Sequence, residues 1–427
     1  MIPFSKRMMR VHSAIPKPSP HPPPLTFSSI SRSGPGCSGL LGALTEMGPF
    51  RPTKDGKLED NPYTWNEKVS MIYIEQPCGV GFSYSDLDAD MQTGDDQAAL
   101  DNYALIQAFL VRFPQFAKNK LYLTSESYGG HYLPTLAKVI VDQNTAAANP
   151  KLNFAGFAVG NPATTADSTT PAMLQTYWGH QLLPKPMWDK YTALCVDAIK
   201  PNLQDCEMLF LEIFMKTSDL NPYALDYNVC LSDSKAKYGR TQRLHLLRNR
   251  LSHLSPKSKE MLKLDAVMSD DYVPCEDDYM TTYLNRDDVK AAMHVRSSIK
   301  WGDCSRTIRY DQKDGPKSMT PYYQYLLNGN YGLDILVYSG DDDSVCGTVG
   351  TQEWIWDLGY TAKKTADWVA WKVPTDGQTG GYLTRYDGVR FAFATVHGAG
   401  HEVPTYKPAA AKALFDSYIA GEWTKNN

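Results

Sequence analysis

The 427 residues, 42% of them hydrophobic, suffice for one large domain with insertions or for two domains with packed cores. A formal net charge of −4, with no Lys/Arg cluster interleaved with aromatics, argues against a nucleic-acid partner. No window approaches the roughly 18 uninterrupted apolar residues of a spanning helix, which argues against a membrane protein.

In chain order, the first 33 residues place Lys6, Arg7 and Arg10 ahead of Pro16, Pro18, Pro20 and the run Pro22-Pro23-Pro24. A secretory signal needs an apolar stretch of about 7 to 15 residues and a small-residue cleavage site, so residues 1–33 read as an atypical, disordered segment. A buried apolar run at 69–75 predicts a strand, and Leu100, Tyr103, Ile106, Phe109 and Leu110 predict a helix over 96–113. Residues 121–123 give another strand, followed by a helix marked by Leu133, Leu136, Ala137, Ile140 and Val141. The run 154–159 is a further strand that stops at Gly160-Asn161-Pro162. Residues 165–275 lose this rhythm and read as a mainly helical insertion. It returns with strands at 335–338 and 389–396 and a closing helix at 409–419. The pattern predicts an α/β fold with a mostly parallel sheet covered on both faces. Its core is interrupted: 34–164, then the insertion 165–275, then 276–427.

The strongest chemical signal is Leu121-Tyr122-Leu123-Thr124-Ser125-Glu126-Ser127-Tyr128-Gly129-Gly130. A strand running into a sharp turn and a helix, with serine at the apex and glycine two residues on, is the pattern of a nucleophile elbow. Ser125 replaces the usual first glycine, and an ordinary turn with a capping serine is the bland alternative. A nucleophilic hydroxyl needs a base and an orienting carboxylate, which after such elbows follow in the order acid, then histidine, at strand ends. Asp341, Asp342 and Asp343 follow one later strand and His401 follows the other. His131, one helical turn past Ser127, is placed to brace the elbow. His397 and His401 lie four apart, but Gly398 and Gly400 oppose a helix there and no H-E-x-x-H motif exists, so no metal site is expected. The eight cysteines contain no C-x-x-C pair, against a structural zinc site.

Several separate segments, in order, resemble the serine carboxypeptidases, a carboxypeptidase Y-like branch of the α/β-hydrolases. They are Gly34-Pro35-Gly36-Cys37-Ser38, Asn61-Pro62-Tyr63-Thr64-Trp65-Asn66, Glu75-Gln76-Pro77 with Gly79, Gly81, Phe82, Ser83 and Tyr84, and Glu126-Ser127-Tyr128 with Gly130-His131-Tyr132. Tyr283-Leu284-Asn285-Arg286, Gly340-Asp341-Asp342-Asp343 with Cys346, and Gly398-Ala399-Gly400-His401-Glu402-Val403-Pro404 complete the set. The resemblance implies an α/β-hydrolase fold with the helical insertion as a cap, and a cofactor-free serine-type carboxypeptidase acting on peptide and protein C-termini. It implies Ser127 as nucleophile, His401 as base and Asp343, the second Asp of Gly-Asp-x-Asp, as acid. The backbone N–H groups of Gly34 and Tyr128 would form the oxyanion hole, and Glu46 and Glu126 would bind the substrate carboxylate while at least one is protonated. It further implies disulfides Cys37–Cys304, Cys195–Cys206 and Cys230–Cys275, with Cys78 and Cys346 free, and a secretory, extracellular, lysosomal or vacuolar location.

Departures accompany the match. Arg32 and Ser33 stand where the family has Asn-Gly, and no N-x-Ser/Thr sequon occurs. Residues 27–33 offer few apolar side chains for the strand that should precede Gly34, so a missing strand and a foreign N-terminal segment are expected. The alternatives are an acyltransferase with the same motifs, or a weakly active or non-catalytic relative.

Overall fold

Apolar runs buried on both sides become the strands of the computed structural model, which describes residues 10–14, 25–28, 35–146, 149–197, 202–217, 220–227 and 275–424. The main sheet contains β1 (Arg10–Ala14), β2 (Leu25–Ser28), β3 (Ser70–Glu75), β4 (Leu121–Glu126), β5 (Phe154–Gly160), β6 (Asp334–Gly340), β7 (Val369–Lys372), β8 (Thr379–Arg385) and β9 (Phe391–Val396). Their order across the sheet is β1-β3-β2-β4-β5-β6-β9-β8-β7. The six strands from β3 to β9 in that order run parallel; β1 pairs antiparallel with β3 at one edge, and at the other β8 pairs antiparallel with both β9 and β7.

The period-2 alternation of a strand divides the core into two layers. Met71 and Tyr73 of β3, Tyr122 of β4, Leu336 and Tyr338 of β6, and Ala392 and Ala394 of β9 face one cluster with Leu40, Leu41, Leu414, Phe415 and Tyr418. Ile72, Ile74, Leu121, Leu123, Ile335, Val337, Phe391 and Phe393 face the other. There they meet α1 (Asp95–Arg112) through Tyr103 and Ile106, and α2 (Gly129–Ala146) through Leu133, Leu136 and Ile140. Each such aliphatic or aromatic side chain contributes about 1.5 to 3 kcal/mol on burial. The sheet ends are therefore held firmly where the loops emerge. The helix α3 (Ala166–Gly179), with Lys185–Tyr191 and Leu203–Lys216, follows β5 and has a cluster of its own that includes Met173, Leu174, Tyr177, Leu209 and Ile213. Residues 228–274 of the expected insertion lie outside the described residues.

The N-terminal expectation is corrected. Residues 1–33 are not simply a disordered extension, because β1 pairs antiparallel with β3 and β2 lies between β3 and β4, parallel to both. The strand that precedes Gly34 is thus present. Its pairing uses backbone N–H and C=O groups, which four residues supply whatever their side chains, and Leu25 and Phe27 already give the two-residue alternation. A window opened at Phe27 begins too late to register it. The strand β8 also escapes the apolar pattern, since Gly380 and Gly381 interrupt it. Gly381 is required, because a Cβ there would collide with the Thr395 carbonyl.

Candidate active site

Four consecutive strands of the parallel sheet, β4, β5, β6 and β9, end at the same edge and carry the polar groups of the site. Ser127 follows β4 with φ of 57°, a left-handed conformation uncommon for a residue with a Cβ. Three backbone hydrogen bonds hold it: its N–H donates to Gly160 O at 3.0 Å, and its carbonyl accepts from Gly130 N and Ala163 N, both at 2.9 Å. The glycines after the serine are close-packing residues. A Cβ at Gly129 would enter the Ser125 side chain, and one at Gly130 would strike the Ala163 carbonyl. Tyr128, which follows Ser127, immediately precedes the 18-residue helix α2, whose N-terminal N–H groups and dipole favour negative charge.

Asp343 lies three residues past β6 and is fully buried. Its Oδ1 accepts from Val345 N at 2.7 Å; its Oδ2 accepts from Cys346 N at 3.1 Å, Asn161 Nδ2 at 2.9 Å and His401 Nδ1 at 2.7 Å. A buried carboxylate is tolerated when its lone pairs are filled in this way. His401 is fully buried too. Nδ1 faces Asp343, which places Nε2 on the side of the ring away from that carboxylate. Backbone contacts fix both loops: a Cβ on Gly340 would strike the carbonyls of Ala399 and Gly400, and one on Gly400 would strike that of Tyr223.

A segment unread in the sequence clasps this arrangement. Tyr223 O accepts from His401 N at 2.7 Å, its ring stands edge-on to the imidazole at 5.2 Å, and Pro222 O accepts from Ser344 N and Oγ at 3.1 and 2.6 Å. Tyr227 OH donates to the carbonyls of Gly398 and Tyr406 at 3.0 and 3.2 Å. Asp342 is buried and accepts from Asp226 N and from His180 Nε2, the latter at 3.1 Å. That hydrogen bond to Asp342 raises the His180 pKa to about 8, against the opposing effect of burial. Asp341 instead turns outward to Gly398 N and His397 Nδ1.

Glu46 and Glu126, 80 positions apart in sequence, are both buried. Both act on Tyr338, whose phenol is pushed well above its ordinary value by burial first, then by the carboxylates of Glu126 and Glu46. Asn61 Nδ2 anchors the Glu46 backbone, donating to the carbonyls of Glu46 and Gly48 at 2.9 and 2.8 Å. Gly34, Arg32 and Ser33 lie outside the described residues. The loop after Gly34 is held by Glu75, which accepts from Ser38 Oγ (2.5 Å), Trp301 Nε1 (2.9 Å) and Phe82 N (2.9 Å). A Cβ at Gly81 would occupy the space of that carboxylate. Glu75 and Asn161 were visible in the sequence only as parts of short motifs, since Ser38 and Trp301 for the one, and Gly340 and Asp343 for the other, lie far along the chain.

His131 Nδ1 donates to Asp95 Oδ2 at 2.9 Å, both buried, and the ring stacks on Tyr128 at 4.6 Å. It braces the elbow from behind. Cys37–Cys304 and Cys195–Cys206 are disulfide-bonded, and Cys78 and Cys346 are buried and outside any disulfide. Cys230 lies outside the described residues, as does the side chain of Cys275, which begins a helix.

The family described as serine carboxypeptidase matches residues 32–421. Serine carboxypeptidase 24 of Arabidopsis thaliana is 34% identical over 412 residues, covering 95% of this chain and 84% of that protein. Serine carboxypeptidase-like 25 of the same plant is 34% identical over 399 residues, covering 91% and 80%. The crystal structure of Kex1(delta)p, a prohormone-processing carboxypeptidase from Saccharomyces cerevisiae, superposes with a TM-score of 0.74 at 22% identity, over 98% of this chain and 88% of that one. The fold is that of the α/β-hydrolases, and the chain belongs to the serine carboxypeptidase family.

Proposed function

We propose that this chain is a serine-type carboxypeptidase that releases C-terminal amino acids from peptides and proteins. The observation that carries the reading is the buried Asp343–His401 hydrogen bond, on the same sheet edge as a left-handed Ser127. Ser127 Oγ attacks the last peptide carbonyl while His401 Nε2 takes its proton and returns it to the leaving amine, the C-terminal amino acid. Water then attacks the acyl-enzyme, with His401 acting as base again. Asp343 holds the imidazole and stabilises the imidazolium form. The Tyr128 and Gly34 N–H groups bind the oxyanion. Glu46 and Glu126, buried together, support recognition of a terminal carboxylate, which they can hydrogen-bond when a proton is shared between them. The helices after β5 serve as a cap over this edge, and the two disulfides fit a secretory-pathway location.

Mass spectrometry of a peptide set incubated with the enzyme and with Ser127→Ala tests the reaction: single residues should leave the C-terminus only with the wild type. Fluorophosphonate should label Ser127 alone. Transfer of the acyl group to an added alcohol, with no trimming, would identify an acyltransferase instead. Peptide hydrolysis should be best at acidic pH and decline towards neutral, whereas hydrolysis of esters without a free carboxylate declines less; identical profiles would remove Glu46 and Glu126 from carboxylate binding.

A further inference from the structure

The end of β5 holds a buried side chain that the proposed reaction does not yet use. Asn161 is fully buried with φ of 40°, in the left-handed region that glycine and asparagine tolerate best. The parallel pairing of β5 with β6 stops at Gly160 and Tyr338, and Asn161 N still donates to Tyr338 O at 2.8 Å. Beyond that point its side-chain amide takes the place of a peptide group. Oδ1 accepts from Gly340 N at 3.0 Å, and Nδ2 donates to Gly340 O at 3.3 Å and to Asp343 Oδ2 at 2.9 Å. One side chain therefore fixes both the start of the acid loop and the carboxylate at its end.

We propose that Asn161 is a positioning residue of the acyl-transfer reaction, holding Asp343 Oδ2 on the His401 Nδ1–H axis and supplying a neutral donor to the carboxylate. The proposal rests on the assignment of Ser127, His401 and Asp343 made above. Of the four donors to Asp343, two are backbone groups of the acid loop itself and one is the base, so Asn161 is the donor from a neighbouring strand. The loop donors move with Asp343, whereas Asn161 refers its position to the sheet. Chemistry also favours an amide over a carboxyl here: Asn keeps one proton-rich nitrogen at every working pH, while Asp at this position would set two carboxylates against each other.

Two variants test this. Asn161→Gly accepts the left-handed backbone and removes the side chain; Asn161→Asp is isosteric, keeps the acceptor for Gly340 N, and replaces the donor by an oxygen. Per folded molecule, counted from melting amplitudes, both should lose about 10- to 100-fold in kcat, the rate equivalent of one charge-assisted hydrogen bond, with KM changed less than about threefold. Among the described residues, Asp343, Cys346 and Tyr223 are titratable groups that face His401. An added carboxylate beside Asp343 favours the protonated imidazole, so in Asn161→Asp the acid limb of kcat/KM should move to higher pH by about one unit. A purely structural role would lower stability and leave both kcat per folded molecule and the pH profile unchanged, and that result overturns the proposal. Failure of both variants to fold would assign Asn161 to folding and overturn it too. A wild-type enzyme that neither hydrolyses peptides nor takes up fluorophosphonate would instead sink the assignment of the reaction.

Discussion

The elbow makes a sharp demand at Gly129 because Ser125 stands where related elbows have glycine. In Gly129→Ala the new Cβ falls inside the radii of both Ser125 Oγ and Ser125 Cβ, while Val159 Cγ2 at 3.8 Å is an ordinary contact. Rotating the serine hydroxyl moves Oγ but leaves Cβ in the way, so backbone must give. Yet Ser125 is paired with Val159 in the β4/β5 ladder, and Gly129 begins α2. Overpacking of this kind costs about 1 to 3 kcal/mol. Alanine's better helix propensity returns up to about 1 kcal/mol, for a net loss of about 1 to 2 kcal/mol in urea unfolding. Activity should fall further than stability, since a shift of about 1 Å in the nucleophile costs about 10²-fold in rate. Ser125→Gly alone should cost about 0.5 to 1 kcal/mol through strand entropy. In Ser125→Gly/Gly129→Ala the collision is gone, and the cycle should show at least about 1 kcal/mol of favourable coupling, with kcat largely restored. A Gly129→Ala enzyme with wild-type stability and kcat, or a double variant no better than the single, would refute this account of the turn.

The His180–Asp342 pair predicts a pH-dependent link between α3 and the acid loop. His180 is raised in the folded state, to about 8, so its contribution is complete below its ordinary value of 6.5 and is lost as pH rises through about 8. Urea melts of wild type and His180→Gln should therefore differ most near pH 6 and converge by about pH 9; a constant difference would remove the charged pair. The two disulfides close chain separations of 267 and 11 residues. Chain entropy then gives about 5.6 kcal/mol for Cys37–Cys304 and about 2.8 kcal/mol for Cys195–Cys206. Paired Cys→Ser variants should lose stability in that order in urea, and alkylation of Cys37 or Cys304 in the unreduced protein would contradict the pairing.

Local physics let the sequence determine the parallel core and the identity of the elbow. Runs such as 335–338 are apolar on both sides because helices cover both faces of the sheet, and the serine–glycine spacing after 121–123 needs only a strand, a turn and a helix. The order of acid and histidine along the chain was readable for the same reason: each follows its own strand. What tertiary structure decided is everything whose partner lies far away in sequence. β2 has only four residues, Leu25 and Phe27 its sole apolar ones, and is held because β3 and β4 offer backbone partners on both sides. The choice among Asp341, Asp342 and Asp343 has no local answer; it is made where His401 meets Asp343 while Asp342 turns to His180 and Asp341 to His397. The Tyr223 clasp, the Glu75 anchor and the Asn161 amide are likewise products of packing. Hydrogen bonds across 37 to 226 positions for Glu75, and 179 and 182 for Asn161, leave no periodicity along a chain, and only folding brings their two ends within 3.3 Å.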